Sequence, residues 1–143
     1  MHRAILEVQD EQGGPATSAL TDSMRLDTER MIADNPISIV ITRATWTLAN
    51  GRRTSTSATL AAQTVRTYGK NVTEVMRESD EARFRRVREV RMLAKYDANV
   101  IAHSGASEDT FSVGSVKYRI KNVRDIAWEG VTISKQCTLE EIQ

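Results

Sequence analysis

From position 110 to the end of the chain, hydrophobic and polar residues alternate with a period of two. Val116, Tyr118 and Ile120 fall on one side, and Lys117, Arg119 and Lys121 on the other. Val131, Ile133, Cys137 and Leu139 then alternate with Thr132, Ser134, Gln136 and Thr138. Successive side chains of a strand point to opposite faces, so the pattern predicts antiparallel strands with one buried and one wet face. Phe111-Ser112-Val113 and the run Val116 to Val123 are joined by Gly114-Ser115, which suits a type II′ hairpin turn. A final strand is expected from about Trp128 to Leu139.

Upstream, Ile37 to Leu48 reads as one strong strand. Ile37, Ile39 and Ile41 share a face, with Val40 and Trp46 on the other. Asn50-Gly51 marks a turn, followed by a polar stretch from Arg52 to Thr59. Leu60 to Tyr68 reads as a second strand anchored by Val65 and Tyr68. One helix is expected from Thr21 to Asn35, with N-cap oxygens on Thr21, Asp22 and Ser23 and a stop before Pro36. Met24, Met31 and Ile32 make only a thin apolar stripe, so this helix must lean on a larger body.

Gly69 to Phe84 is expected to be a long, partly helical loop. Val72, Val75 and Met76 have helical spacing, but the acidic run Glu74, Glu78, Asp80, Glu81 offers little to bury. Arg85 to Tyr96 reads as a strand through Val90, Met92, Ala94 and Tyr96, although Phe84, Val87 and Val90 also fit a helix. Residues 98 to 109 connect it to the C-terminal strands. Five or six strands and one helix predict a mainly β protein: a small antiparallel β-barrel or sandwich with a short N-terminal helix and long loops. Residues 1–20 read as a flexible extension and 21–143 as a single domain. Gln12-Gly13-Gly14-Pro15 continues no regular element, leaving two readings of the extension: a tail without fixed structure, or an arm that orders on a partner.

Composition narrows the function classes. With 40% hydrophobic and 5% aromatic residues in 143, the core must be modest. Twenty Lys and Arg oppose nineteen Asp and Glu, a net charge of +1. That balance argues against a chain built mainly to neutralise phosphates, while leaving room for a local basic patch. One cysteine excludes an intrachain disulfide and suits a reducing compartment. No apolar stretch reaches bilayer length, and the N-terminus lacks the apolar region of a signal peptide. A soluble protein made in a cytoplasm, with no membrane partner, is the expectation.

Chemical motifs are missing. His2 and His103 are isolated, and Cys137 has no Cys/His spacing for zinc. Walker, dinucleotide and nucleophile-elbow patterns do not occur. His103-Ser104 and Asp109 could be imagined as triad fragments, yet a triad is a spatial arrangement that sequence neighbours in a Ser/Gly loop rarely form. Asn71-Val72-Thr73 matches a glycosylation acceptor by chance alone. Cys137 alternates with core positions and reads as a small buried hydrophobe. No catalytic residue, metal site or cofactor is expected, and the chain is not expected to be an enzyme.

The unusual constellation is electrostatic. Arg83, Arg85, Arg86, Arg88, Arg91 and Lys95 place six cations within thirteen residues, opposed only by Glu89. The acidic Glu74, Glu78, Asp80 and Glu81 come immediately before. Three readings stand: a solvated face balanced by its neighbour, pairing between copies, or contact with nucleic acid. Few aromatics accompany the cations, so no base-stacking platform is evident, and pairing between copies is the better specific reading. These ten residues form the candidate interface.

The segment DTFSVGSVKYRIKNVRDIAWEGVTISKQCTLEEI resembles the C-terminal half of head completion proteins of tailed bacteriophages, the head closure, stopper or head–tail joining proteins. The features that match are Phe111, Val113, Gly114, Tyr118, Ile120, Val123 and the strand Val131 to Leu139. DTERMIADNPISIVITRA resembles the family's short helix leading through a proline into a first strand and an arginine, here Arg43. The matches cover residues 27 to 44 and 109 to 143; many members carry a second glycine where Ser115 stands. The resemblance implies a small barrel-like fold and a homo-oligomeric ring in the virion neck. Its partners would be the portal or adaptor on one side and tail proteins on the other. It further implies help in retaining packaged DNA, with contact to double-stranded DNA in the channel and a host-cytoplasmic stage before assembly. A tail terminator or adaptor of the same neck, and a nucleic-acid-binding β-barrel, are the alternatives.

Overall fold

The described residues of the computed structural model are 18–78 and 81–143, with side chains described outside residues 70–87. One helix and eight strands follow in chain order: α1 (Ala19–Asp34), β1 (Ile37–Ile39), β2 (Thr42–Ala49), β3 (Arg52–Thr59), β4 (Gln63–Glu78), β5 (Glu81–Lys95), β6 (Ser107–Val113), β7 (Val116–Trp128) and β8 (Val131–Ile142). All pairings are antiparallel, in the order β1-β4-β5-β8-β7-β6-β2-β3. The fold is mainly β and barrel-like: a curled half-barrel sheet carrying one helix.

The curl follows from connectivity. In a flat sheet, six strand spacings would set β1 and β2 about 29 Å apart. Yet only Val40 and Ile41 separate them, a reach of about 11 Å from Ile39 to Thr42. The sheet must therefore bend until its ends nearly meet. Ile39 and Ile41 are buried while Val40 between them is half exposed, so inward–outward alternation runs unbroken through the junction. The expected single strand from Ile37 to Leu48 is thus two. Its side-chain pattern is continuous, but its hydrogen bonding switches from β4 to β3 and β6. A continuous alternation hides such a switch.

The concave face holds the core: Ile39, Ile41, Val65, Met92, Ala94, Val100, Phe111, Ile120, Cys137 and Leu139. Tyr118 is only partly buried, its ring 5.8 Å from that of Phe111. On the outer side, α1 lies against β4, β5 and β8. Its buried residues are Thr21, Thr28 and Ile32. Polar ties do much of the fastening: Arg25 Nε donates to the Thr132 carbonyl at 3.0 Å and Arg66 Nη1 to the Met31 carbonyl at 2.9 Å. The helix starts earlier than expected because Ser18, not Thr21 to Ser23, is the cap; its Oγ accepts from the Thr21 N–H at 3.2 Å. Asn35-Pro36 ends it as anticipated.

Three further expectations are corrected. Gly69 to Phe84 is not a partly helical loop: β4 runs to Glu78 and β5 begins at Glu81. Val72 pairs with Val87 and Val75 with Phe84, so the apolar positions serve a two-stranded ladder, and their helical spacing is incidental. Arg52 to Thr59 is a full strand whose eight residues are all exposed, so no alternation betrayed it. The last strand starts at Val131, after a turn at Glu129-Gly130.

That turn has φ 49° at Glu129 and 78° at Gly130; Asn50-Gly51 has 53° and 75°. Both are two-residue loops with positive φ at both central positions, the type I′ geometry that favours Asn-Gly. Gly114 has φ 62° whereas Ser115 does not share the positive region, as the expected II′ turn requires. Glu129 is the poor fit, since a side chain other than Asn or Asp pays in strain for the left-handed region. Glu129→Asn is expected to stabilise the protein by about 1 kcal/mol, read as a thermal midpoint a few degrees higher.

Candidate functional site

The ten charged residues of the candidate interface sit on the β4–β5 hairpin, and the structure divides them. Asp80 lies outside the described residues. For Glu74, Glu78, Glu81, Arg83, Arg85 and Arg86 only the strand positions are described. The register sets Glu74 opposite Arg85, Met76 opposite Arg83 and Thr73 opposite Arg86, while Glu78 faces Glu81. Acid and base of the run therefore meet at one rung of the same hairpin, and the like-charged rung lies at its end. Arg88 is exposed, opposite Asn71, with its guanidinium over Gly69.

Nearer the barrel, two cations are engaged within the monomer. Arg91 Nε donates to Glu89 Oε1 at 2.7 Å, and Lys95 Nζ lies 3.3 Å from Glu29 Oε1 on α1. Arg91 and Lys95 thus have partners within the subunit, and the outer hairpin extends beyond them. β5 pairs with β8 only from Val90 to Lys95 and β4 with β1 only from Gln63 to Val65. Between Lys70↔Glu89 and Glu78↔Glu81 the two strands pair only with each other among the described residues, over about 27 Å at ~3.4 Å per residue.

The registers also fix direction. β5 approaches the Val131 end of β8 as it nears Lys95, so its Glu81 end points the opposite way. β2 leaves Thr110 towards Ser107 of β6, which carries the Asn50-Gly51 turn to the same end as the β7–β8 turn. The β4–β5 and β2–β3 hairpins therefore extend from opposite ends of the half-barrel. The β2–β3 hairpin is a second charged projection with a signal readable in the sequence: no Asp or Glu occurs from Asn35 to Thr73. Arg52 and Arg53 sit at its tip, with the Arg53 guanidinium 4.8 Å from the Trp46 ring centroid and Leu48 77% exposed.

The imagined triad does not assemble. Asp109 is fully buried and bound by Arg43, Nε to Oδ1 at 2.8 Å and Nη2 to Oδ2 at 2.9 Å. The Ile101 N–H also donates to Asp109 Oδ2, at 2.9 Å. Asn99 Oδ1 takes a further bond from Arg43 Nη2 at 3.0 Å. His103 instead lies 3.4 Å from Glu108, and Ser104 Oγ accepts the N–H groups of Ala106 and Ser107. The bidentate hydrogen bond to Asp109 raises the Arg43 pKa above its ordinary value. Arg43 continues the inward face of Ile39 and Ile41, so this pair closes one part of the core and pins the loop 96–106. The arrangement is structural.

Two other groups are tuned. A hydrogen bond from Arg119 Nη2 at 2.9 Å holds the Glu140 carboxyl below its usual range and raises Arg119 in turn. Burial pushes the Cys137 thiol up to about 12, so it is no nucleophile at neutral pH. Among the described residues no three His, Cys, Asp or Glu cluster to hold a metal, and no helix is long and apolar enough to cross a membrane. Comparison of the chain with protein-family models, with curated proteins and with solved structures gave no match.

Proposed function

We propose that the chain is a structural protein of the tailed-bacteriophage neck, forming a ring that joins the portal or adaptor to the tail and helps retain packaged DNA. The observation that carries this reading is the pair of charged hairpins at opposite ends of one half-barrel. One ends on Arg52 and Arg53, the other on Glu78 and Glu81. A subunit that bridges the ring above to the ring below needs contact surfaces at both ends. The two segments that resemble head completion proteins also meet in space, since Arg43 of the first holds Asp109 of the second.

The test is made in particles. Arg85, Arg86 and Arg88 are changed together to Glu, leaving Arg91 on Glu89. Exposed pairs are individually worth about 0–1 kcal/mol, so only a collective reversal should act. The wild-type chain should be imaged at the head–tail junction. The reversed chain should stay folded but yield tailless heads that have lost DNA. A wild-type chain located elsewhere in the particle, or normal assembly of the reversed chain, would sink the reading. If reversal removed only a salt-sensitive affinity for free DNA, the nucleic-acid alternative would replace it.

A further inference from the structure

The helix α1 has an inverted amphipathicity. The side chains it buries against the sheet are Thr21, Thr28 and Ile32, and Arg25 turns in to the Thr132 carbonyl and the Tyr96 ring. Its larger apolar side chains are on the wet side: Leu20 and Met31 are each 54% exposed and Leu26 44%. A surface helix ordinarily sets its apolar stripe on the core and its polar residues outward. Single exposed leucines are ordinary, but a helix that buries threonines and exposes leucines has a second surface to cover. That surface is also acidic. Asp22 and Asp27 are exposed on it, partly offset by Arg30 at 3.7 Å from Asp27.

The β2–β3 hairpin carries the complementary surface. Ile39, Ile41 and Arg43 turn to the core, so alternation sends Trp46 and Leu48 to the outside. Arg53 stands opposite Leu48 on the same face, and its guanidinium covers the Trp46 ring. This face joins an apolar patch to a cation, and the hairpin contains no acid. Arg52, opposite Ala49, lies on the other face.

Position agrees with chemistry. The helix rests on β4, β5 and β8, whereas β2 lies three places from β8 in the strand order and is joined to β4 only through β1. The two surfaces therefore occupy different flanks, and one copy can use both at once. Arg25 meets Thr132 beside the β7–β8 turn, the end that also carries the Asn50-Gly51 turn, so both surfaces stand at the same end.

We propose that the outer face of the β2–β3 hairpin of one copy docks on the exposed face of α1 of the next copy. Trp46 and Leu48 cover Leu20 and Leu26, and Arg53 meets Asp22 and Asp27. The contact is head-to-tail, and repeated about an axis that closes it makes a ring. It rests on the ring reading above and names the surfaces that join its copies; Arg52, on the other face, is left to the contact at the end of the barrel.

Cross-linking and sedimentation of the full-length chain test it. The single cysteine, Cys137, is buried and stays silent. A Leu48→Cys chain mixed with a Leu26→Cys chain should give covalent pairs with a short bis-maleimide, and neither chain alone should. Leu48→Asp should raise the dissociation constant about tenfold, with the unfolding midpoint retained. Arg53→Glu should weaken association, and adding Asp27→Lys to the same chain should recover it. A chain that stays monomeric at about 1 mM would overturn the proposal. So would cross-links within either cysteine chain alone, which would make the pairing hairpin to hairpin or helix to helix. Association seen only with an added DNA duplex would assign the hairpin to nucleic acid instead. Self-association untouched by these variants would overturn this contact and leave the ring reading standing. The expected cross-links from a chain that is absent from the head–tail junction would keep the contact and end the neck reading.

Discussion

Replacing Arg43 with alanine is expected to destabilise the fold by roughly 3–5 kcal/mol, the range for breaking a buried ion pair by removing one partner. The reason lies with the partner left behind. Asp109 has no exposed surface, and of its hydrogen bonds only the one from the Ile101 N–H would survive. The surviving carboxylate would keep its desolvation cost without its counter-charge. The loop 96–106 would also lose the bond from Arg43 to Asn99. Urea unfolding at neutral pH measures the loss as a lower midpoint at unchanged slope. Arg43→Met combined with Asp109→Leu should recover most of the stability, because removing both charges removes the uncompensated one. A single variant as stable as wild type would mean that water reaches Asp109.

How far the sequence discloses this architecture depends on whether a strand has a dry face. The β6–β7–β8 meander has one, and its alternation and the Gly114 turn were readable to within a few residues. The strand β3 has none: its stability comes from pairing with β2 and from hydroxyl contacts such as Thr47 to Thr54 at 2.9 Å, which leave no hydrophobic period. The same holds for the outer β4–β5 hairpin, where charged residues on a two-stranded ladder resemble a polar loop. Closure was invisible for another reason, since a change of hydrogen-bonding partner at Val40-Ile41 leaves side-chain alternation intact. The candidate interface was partly legible. Charge density marked the β4–β5 hairpin, but spacing along the chain could not tell that Arg91 and Lys95 are bound to Glu89 and Glu29, nor that Arg43 answers Asp109 across 66 residues.

Ile120→Ala is expected to cost about 2–5 kcal/mol, and Ile133→Ala distinctly less. Alternation alone treats the two as equals, and both are buried, at 0% and 4% exposure. Their backbones differ. Ile120 pairs with Leu139 beside the other irregularity of this ladder, at Lys121, but it keeps its own ladder partner and faces the concave core, so truncation leaves a cavity walled by the core side chains packed around it. Ile133 lies outside that cluster. The β7–β8 register passes from Ile126↔Ser134 to Ala127↔Thr132, so Ile133 is the extra residue of a bulge. A bulged residue carries no ladder partner of its own, and the backbone around it can settle into part of the lost volume. Cavity cost falls as the site collapses, which is why one substitution at equal burial gives unequal losses. Paired urea midpoints for the two variants decide the order. If Ile133→Ala proved the more damaging, the principal core would have to extend across the bulge to the helix side of β8.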